Sequence, residues 1–443
     1  MDRAGHGASP HRVRARVRHS QVHAPWSTMR SMASNVVGAS RTRKPAEEPV
    51  PVNADGTRSL TRHDHVALKA GASRQCGLLM RASAAIDRGV IRMLGRSTER
   101  AARRLIGDTD RSAGDLRAWL VETAAAYGAD TLGTPSRFFP APAEPEVQLT
   151  RLGKGPLGTQ VFDLRYPSGY EPFLPAARDM HHATTENLTA HARWWTSGPG
   201  RPTLVLIHGW RAGYQWVVRG TFGVEYWLRH GYDLAAFVLP LHGARAPGSG
   251  VLRSGALFPS ADPVRTNEAF GQAIHDVRAL SRFLRGRGTS AVAALGMSLG
   301  GYTTALWASV AGPGDAGGVD FAVAIIPAVS FARLMWRHGE GTTAQKRAAN
   351  AGITEDMLVD AFAVHCPTTR PARLPSERLY VVAGKGDRIT PPDHAEALAK
   401  HWGTEVLWFH GGHLAQLGRP DALRVVRRSL GGHGFAGRAF RGT

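Results

Sequence analysis

Six short apolar runs constrain the fold of this chain more than any other feature: Thr203 to Ile207, Leu234 to Leu239, Ala291 to Leu295, Phe321 to Ile326, Leu379 to Val382 and Glu405 to Phe409. Each has the length of a strand, and helical stretches separate them. That alternation implies an α/β fold, a mostly parallel sheet covered by helices. Between the second and third runs, Phe270, Ile274, Val277, Leu280 and Leu284 mark one helical face, as a crossover between parallel strands requires. Segments near Val147 to Leu152, Gln160 to Arg165 and Leu188 to Trp195 are candidates for leading strands, and no internal repeat is evident.

The 443 residues, 43% apolar, suffice for one large core with appendages. No apolar run approaches a membrane span; the rich stretch Asp233 to Leu241 ends within a strand's length. The net charge of +20 is uneven, because residues 1–110 hold 20 of the 55 Lys/Arg but only 9 of the 35 acidic side chains. This asymmetry sets an N-terminal region apart. Residues 1–60, rich in Arg, Ser, Pro and Gly without an apolar period, read as a disordered basic arm, and 61–140 as a helical region. There Ile86, Val90, Met93 or Leu94, Ala101 and Leu105 recur at helical spacing, with Arg88, Arg92, Arg96 and Arg100 opposite. Two readings stay open: a basic helix lying on an anionic membrane as a peripheral contact, or a helix packed on the main domain with a solvated Arg face. The basic arm lacks interleaved aromatics, which argues against nucleic acid as a partner. A Pro-rich linker, Phe139 to Pro145, leads into a domain over 145–430, and 431–443 reads as a flexible tail. Cys76 and Cys366 fit neither a disulfide framework nor a metal site, and Met1 to Arg18 has no apolar h-region, so the expected compartment is cytoplasmic.

The chemistry centres on Gly296-Met297-Ser298-Leu299-Gly300-Gly301, which follows the run ending at Leu295 and precedes a helical stretch from Tyr302 to Val310. A strand, sharp turn and helix with small residues two positions either side of a serine is what a nucleophile elbow needs, since strand and helix approach closely there. Past the next-to-last run lies Asp387, in a turn leading to a Pro-initiated helix; past the last lies His410-Gly411-Gly412-His413. Ser298, Asp387 and His413 are thus candidates for nucleophile, acid and base. His410 is a rival base at a strand end, where a side chain packs, and Asp393 a rival acid better explained by helix capping. His181, His182 and His191 lack the spacing and carboxylate company of a metal site, so neither metal nor cofactor is assigned.

Over roughly residues 145–430 these motifs resemble the α/β-hydrolase superfamily, in which the three residues occur in the order Ser, Asp, His. The stretch Leu204-Val205-Leu206-Ile207-His208-Gly209-Trp210 is similar to the family's strand followed by His-Gly-x. The resemblance implies an oxyanion hole from the Trp210 and Leu299 N–H groups, with His208 shaping the loop. Leu239 to Pro247 and Ile326 to Ser330 further resemble a lipid-directed branch of abhydrolase-domain proteins. The implied activity is hydrolysis of a small-molecule acyl ester, a lipid or thioester included, through an acyl-enzyme; serine at the elbow argues against the haloalkane-dehalogenase and epoxide-hydrolase variants, which look to an aspartate there. An acyltransferase would use the same residues, and a non-catalytic binding domain of this fold is the alternative from another class. The stretch 327–378 exceeds an ordinary loop. It reads either as a lid whose Leu334, Met335, Trp336, Met357, Leu358 and Phe362 line an acyl pocket, or as small helices burying their own apolar faces.

Overall fold

A computed structural model of the chain describes residues 77, 80–91, 113–248, 253–260 and 262–435, all within one unit, Pro51–Thr443. The arm expected over 1–60, Cys76, the helical positions from Arg92 to Leu105 and the tail after 435 lie outside the described residues.

The strands are β1 (Gln148–Lys154), β2 (Gln160–Pro167), β3 (Thr189–Thr196), β4 (Thr203–Ile207), β5 (Asp233–Phe237), β6 (Val292–Met297), β7 (Phe321–Ile325), β8 (Leu379–Gly384) and β9 (Val406–Phe409). They form a single sheet in the order β1-β2-β3-β5-β4-β6-β7-β8-β9. The first three strands run antiparallel to their neighbours, and β4 through β9 are mutually parallel. Every residue of β4, β5, β7 and β8 is buried, the consequence of helices on both faces, whereas the edge strand β1 is largely exposed and carries a register shift between Arg151 and Gly153. The chain order reverses at β4: its crossover leads outward to β5, while β6 lies on the other side and leads on to β7. A crevice opens at such a switch point beyond the carboxyl ends of the strands.

The helices that bear on the site are α1 (80–91), α2 (Ala113–Ala126), α3 (Gln215–Phe222), α4 (Pro263–Gly286), α5 (Leu299–Val310), α6 (Phe331–His338), α7 (Thr343–Asn350), α8 (Glu355–Ala361), α9 (Pro392–Trp402) and α10 (Arg419–Gly432). α4 is the expected crossover. Asp262 caps it by accepting the Arg265 N–H at 3.0 Å, Pro263 starts it, and Phe270, Ile274, Val277, Leu280 and Leu284 are all fully buried. Burying each such side chain contributes about 1.5–3 kcal/mol.

Four local expectations change. α1 does not bury Ile86, which is 43% exposed; its buried face is Ser83, Ala84 and Asp87, because its neighbours are polar loops rather than an apolar core. The stretch from Phe139 is no free linker, since Phe138 and Phe139 are core residues and Arg278 donates to the Phe139 and Pro140 carbonyls. The tail expected from 431 starts as packed structure, with α10 running to Gly432 and the Phe435 ring 5.8 Å from that of Phe321. In the 327–378 insertion, Ser330, Thr342 and Thr354 cap α6, α7 and α8, and Trp336, Met357 and Leu358 pack with Leu116 and Leu120 of α2. Phe362 lines a cavity of about 230 Å³ with Tyr302, Val329 and Phe331, a lining that includes neither Ser298 nor His413.

Candidate active site

β6 delivers the chain to Ser298, whose φ of 57° and ψ of −114° lie outside the conformations a residue with a side chain normally adopts. The turn is held there from both sides: the Ser298 N–H donates to the Ile325 carbonyl at 2.9 Å, and Gly296 and Gly300 leave no room for a side chain. A Cβ on Gly296 would lie 2.0 Å from the Gly300 carbonyl oxygen, and one on Gly300 would lie 1.9 Å from that of Ile207. Strand and helix therefore touch through backbone, and the serine is pushed up into the crevice.

His413 reaches that serine, its Nε2 3.0 Å from Ser298 Oγ, while its Nδ1 lies 2.8 Å from Asp387 Oδ2. Asp387 is buried and accepts the Ile389 and Thr390 N–H groups on Oδ1 at 2.9 and 2.8 Å. An ionised carboxylate can only accept, so Nδ1 carries the imidazole proton and Nε2 is free to accept from Ser298. Thr390 Oγ1 stands 3.0 Å from Asp387 Oδ2, from His413 Nδ1 and from the Ile326 carbonyl, tying acid, base and the end of β7 together. Burial alone would pull the His413 imidazolium down, but the charge and hydrogen bond of Asp387, with a further negative charge from Asp87, outweigh it and leave the pKa above the usual 6.5.

The loop after β4 runs along the other side of the serine. A Cβ on Gly209 would come 3.5 Å from that of Ser298, so the next residue, Trp210, follows directly at the elbow. His208 fixes this loop: its Nε2 accepts the Leu239 N–H at 3.1 Å, which leaves Nδ1 to donate to the Gly209 carbonyl at 2.8 Å. Burial pushes its pKa down to about 4, so the ring is neutral and acts as a brace. The Trp210 indole N–H donates to the Gly255 carbonyl at 2.7 Å, anchoring the loop from outside. Leu299 is the first residue of α5, where a backbone N–H has no carbonyl within the helix to meet.

The structure thus brings Ser298, His413, Asp387, His208, Gly209, Trp210, Gly296, Leu299 and Gly300 into one crevice. His410 does not supply the nitrogen that meets Ser298, and Asp393 lies in the first turn of α9, ion-paired with Arg337 at 3.1 Å on the surface. His181 and His182 pack edge to face at 5.3 Å, and His191 lies on β3 opposite Arg165. Among the described residues no group of three or more His, Cys, Asp or Glu side chains is arranged to hold a metal. Two contributors escaped the sequence reading. Thr390, three positions after Asp387, had a local signal; Asp87 had only the oddity of a lone acid among Arg81, Arg88, Arg92 and Arg96.

Strand order, elbow and the order Ser, Asp, His along the chain define a protein of the α/β-hydrolase fold. No protein-family model matches the chain. It is similar to uncharacterized proteins of Mycobacterium tuberculosis strains CDC 1551 and H37Rv, 28% identical in each case over 236 residues, which cover 52% of this chain and 54% of theirs. The chain spans about half the length of these curated relatives. Among solved structures it is similar to an acetyl xylan esterase from Paenibacillus sp. R4, 17% identical with a TM-score of 0.46, covering 69% of this chain and 93% of that one. A second is acetyl xylan esterase 1 from Thermoanaerobacterium sp. JW/SL YS485, 15% identical, TM-score 0.46, covering 69% and 98%. The apo form of esterase 2 from Thermogutta terrifontis is 14% identical with a TM-score of 0.37, covering 67% and 98%.

Proposed function

We propose that this protein is a serine hydrolase that cleaves a carboxylic ester through an acyl-enzyme. The observation that carries this reading is the hydrogen-bonded chain from Asp387 through His413 to Ser298 at the switch point of the sheet. His413 Nε2 takes the Ser298 proton as Oγ attacks the carbonyl carbon, and Asp387 stabilises the imidazolium that forms. The tetrahedral oxyanion accepts from the Trp210 and Leu299 N–H groups. As the intermediate collapses, the carbon–oxygen bond to the leaving alcohol breaks and His413 returns the proton to that oxygen. A water deprotonated by His413 then attacks the acyl carbon, releasing the acid and restoring Ser298. A fluorophosphonate probe tests the reading on the full-length protein. One adduct is expected, mapped by peptide mass spectrometry to Ser298; no adduct, or one on another serine, would count against it.

The base also fixes a pH dependence. Asp387 and Asp87 reach His413 with negative charge, and His338 of the insertion, whose pKa burial lowers, is a further titratable group that interacts with it. His413 accepts the serine proton only when neutral, so activity is lost as pH falls through its raised pKa. The acid limb of kcat/KM for p-nitrophenyl acetate is expected to have its midpoint above 6.5. A midpoint at or below that value contradicts the electrostatics described.

A further inference from the structure

We infer that Asp87, carried by the N-terminal helix α1, is a positioning residue that locks the acid loop and the base loop of the site into one unit. The inference rests on the hydrolase reading above. Asp87 is completely buried, yet no cation pairs with it among the described contacts; its partners are three backbone N–H groups. Oδ2 accepts from His413 N at 2.8 Å and from Arg388 N at 3.1 Å, and Oδ1 accepts from Leu414 N at 3.2 Å. One donor belongs to the base itself, one to its neighbour, and one to the neighbour of the acid.

A carboxylate taken out of water must be hydrogen-bonded, and charge-assisted N–H bonds are about twice as strong as neutral ones. Because all three donors sit in the two catalytic loops, the carboxylate is satisfied only while both loops hold the geometry that aligns Asp387, His413 and Ser298. The loops are shaped for this helix. A Cβ on Gly412 would lie 2.6 Å from Asp87 Oδ2, and one on Gly386 would lie 3.1 Å from the Met80 carbonyl oxygen. Ser83 adds a hydroxyl 3.4 Å from the Ala415 carbonyl. The glycines flanking the acid and the base therefore make room for α1, and the buried face of α1, Ser83, Ala84 and Asp87, consists of residues small or polar enough to enter. Asp87 also contributes negative charge near His413, favouring the imidazolium formed when the serine proton is taken.

The test compares wild type, Asp87→Ala and Asp87→Asn in the full-length protein, using p-nitrophenyl acetate for kcat, KM and the pH profile, a fluorophosphonate for labelling rate, and thermal unfolding to score folding. Displacing a catalytic group by about 1 Å can cost 10²-fold. Asp87→Ala is expected to lower kcat by about 10²-fold with KM within about threefold. Asp87→Asn keeps the shape and one acceptor oxygen but sets an amide against a backbone donor, so a fall of about tenfold is expected. Its lost charge should move the acid limb to lower pH, an effect that loop packing alone would not produce. If Asp87→Ala does not fold, Asp87→Asn decides. Wild-type kcat and an unmoved acid limb in a folded variant overturn the inference, and so does a loss that follows only the unfolded fraction. A wild type that never labels overturns the hydrolase reading beneath it; a wild type that labels, beside variants that label as fast, removes the role of Asp87 alone.

Discussion

Asp387→Asn is expected to reduce kcat for p-nitrophenyl acetate by about 10⁴-fold, with KM nearly unchanged and the fold intact. The size follows from which atoms the substitution can satisfy. Oδ1 of Asp387 accepts two backbone N–H groups, from Ile389 and Thr390, so an asparagine keeps its carbonyl oxygen there. Its amide NH₂ then faces His413 Nδ1, where Asp387 Oδ2 now lies at 2.8 Å. Two donors cannot share that hydrogen bond, so Nδ1 must give up its proton and become the acceptor. The neutral ring then carries hydrogen on Nε2, which points a donor at Ser298 Oγ from 3.0 Å and cannot take its proton. Geometry survives, but the tautomer is wrong. Thr390 does not rescue the site, because its hydroxyl can still donate to the Ile326 carbonyl while the ring stays in the inactive form. Steady-state kinetics with an unfolding curve for the same sample would check this, and a loss of less than tenfold in a folded variant would mean that Asp387 does not set the tautomer.

The parts of this molecule that were legible in the sequence are those whose constraints are local. Strands β4 to β8 are covered on both faces, so burial wrote nearly continuous apolar runs at each of them. The elbow was legible because the contacts that exclude a Cβ at Gly296 and Gly300 act within a few residues of the serine or on the strand beside it. The end of β5 was misread by two residues: after Phe237 the chain leaves the parallel ladder, and the Val238 N–H turns to the His191 carbonyl. What the sequence did not reveal depends on partners far along the chain. Asp87 bonds a residue 326 positions away, and the face of α1 that it occupies is polar because the surface it meets is polar. Apolar periodicity pointed instead to Ile86 and Val90. The insertion posed the same difficulty. Trp336, Met357 and Leu358 have the pattern of a pocket lining and of a helix interface alike, and only the arrival of Leu116 and Leu120 from α2 separates the two.

The close approach at the elbow predicts the sign of one glycine-to-alanine substitution, and an open position in another helix gives the opposite sign. Gly300→Ala would drive a methyl group to 1.9 Å from the Ile207 carbonyl oxygen and 2.7 Å from that of His208, both backbone atoms of the central strand and the loop that leaves it. Neither can yield like a flexible side chain, so α5 must lift from the sheet in the middle of the core. Overpacking of this kind costs more than about 3 kcal/mol. For a chain this size the expected fall in Tm is at least about 3 °C. Gly220 lies inside α3, solvent-exposed, with open space where its Cβ would go and no positive φ. Alanine there removes backbone freedom from the unfolded chain without meeting anything, and should stabilise by about 0.5–1 kcal/mol, roughly 1 °C in Tm. Differential scanning calorimetry of the two variants beside wild type reads both signs at once. A Gly300→Ala protein melting with the wild type would mean that strand and helix do not touch at the elbow. In that case the backbone conformation of Ser298 would need another cause, because it is this contact that leaves the turn no wider path.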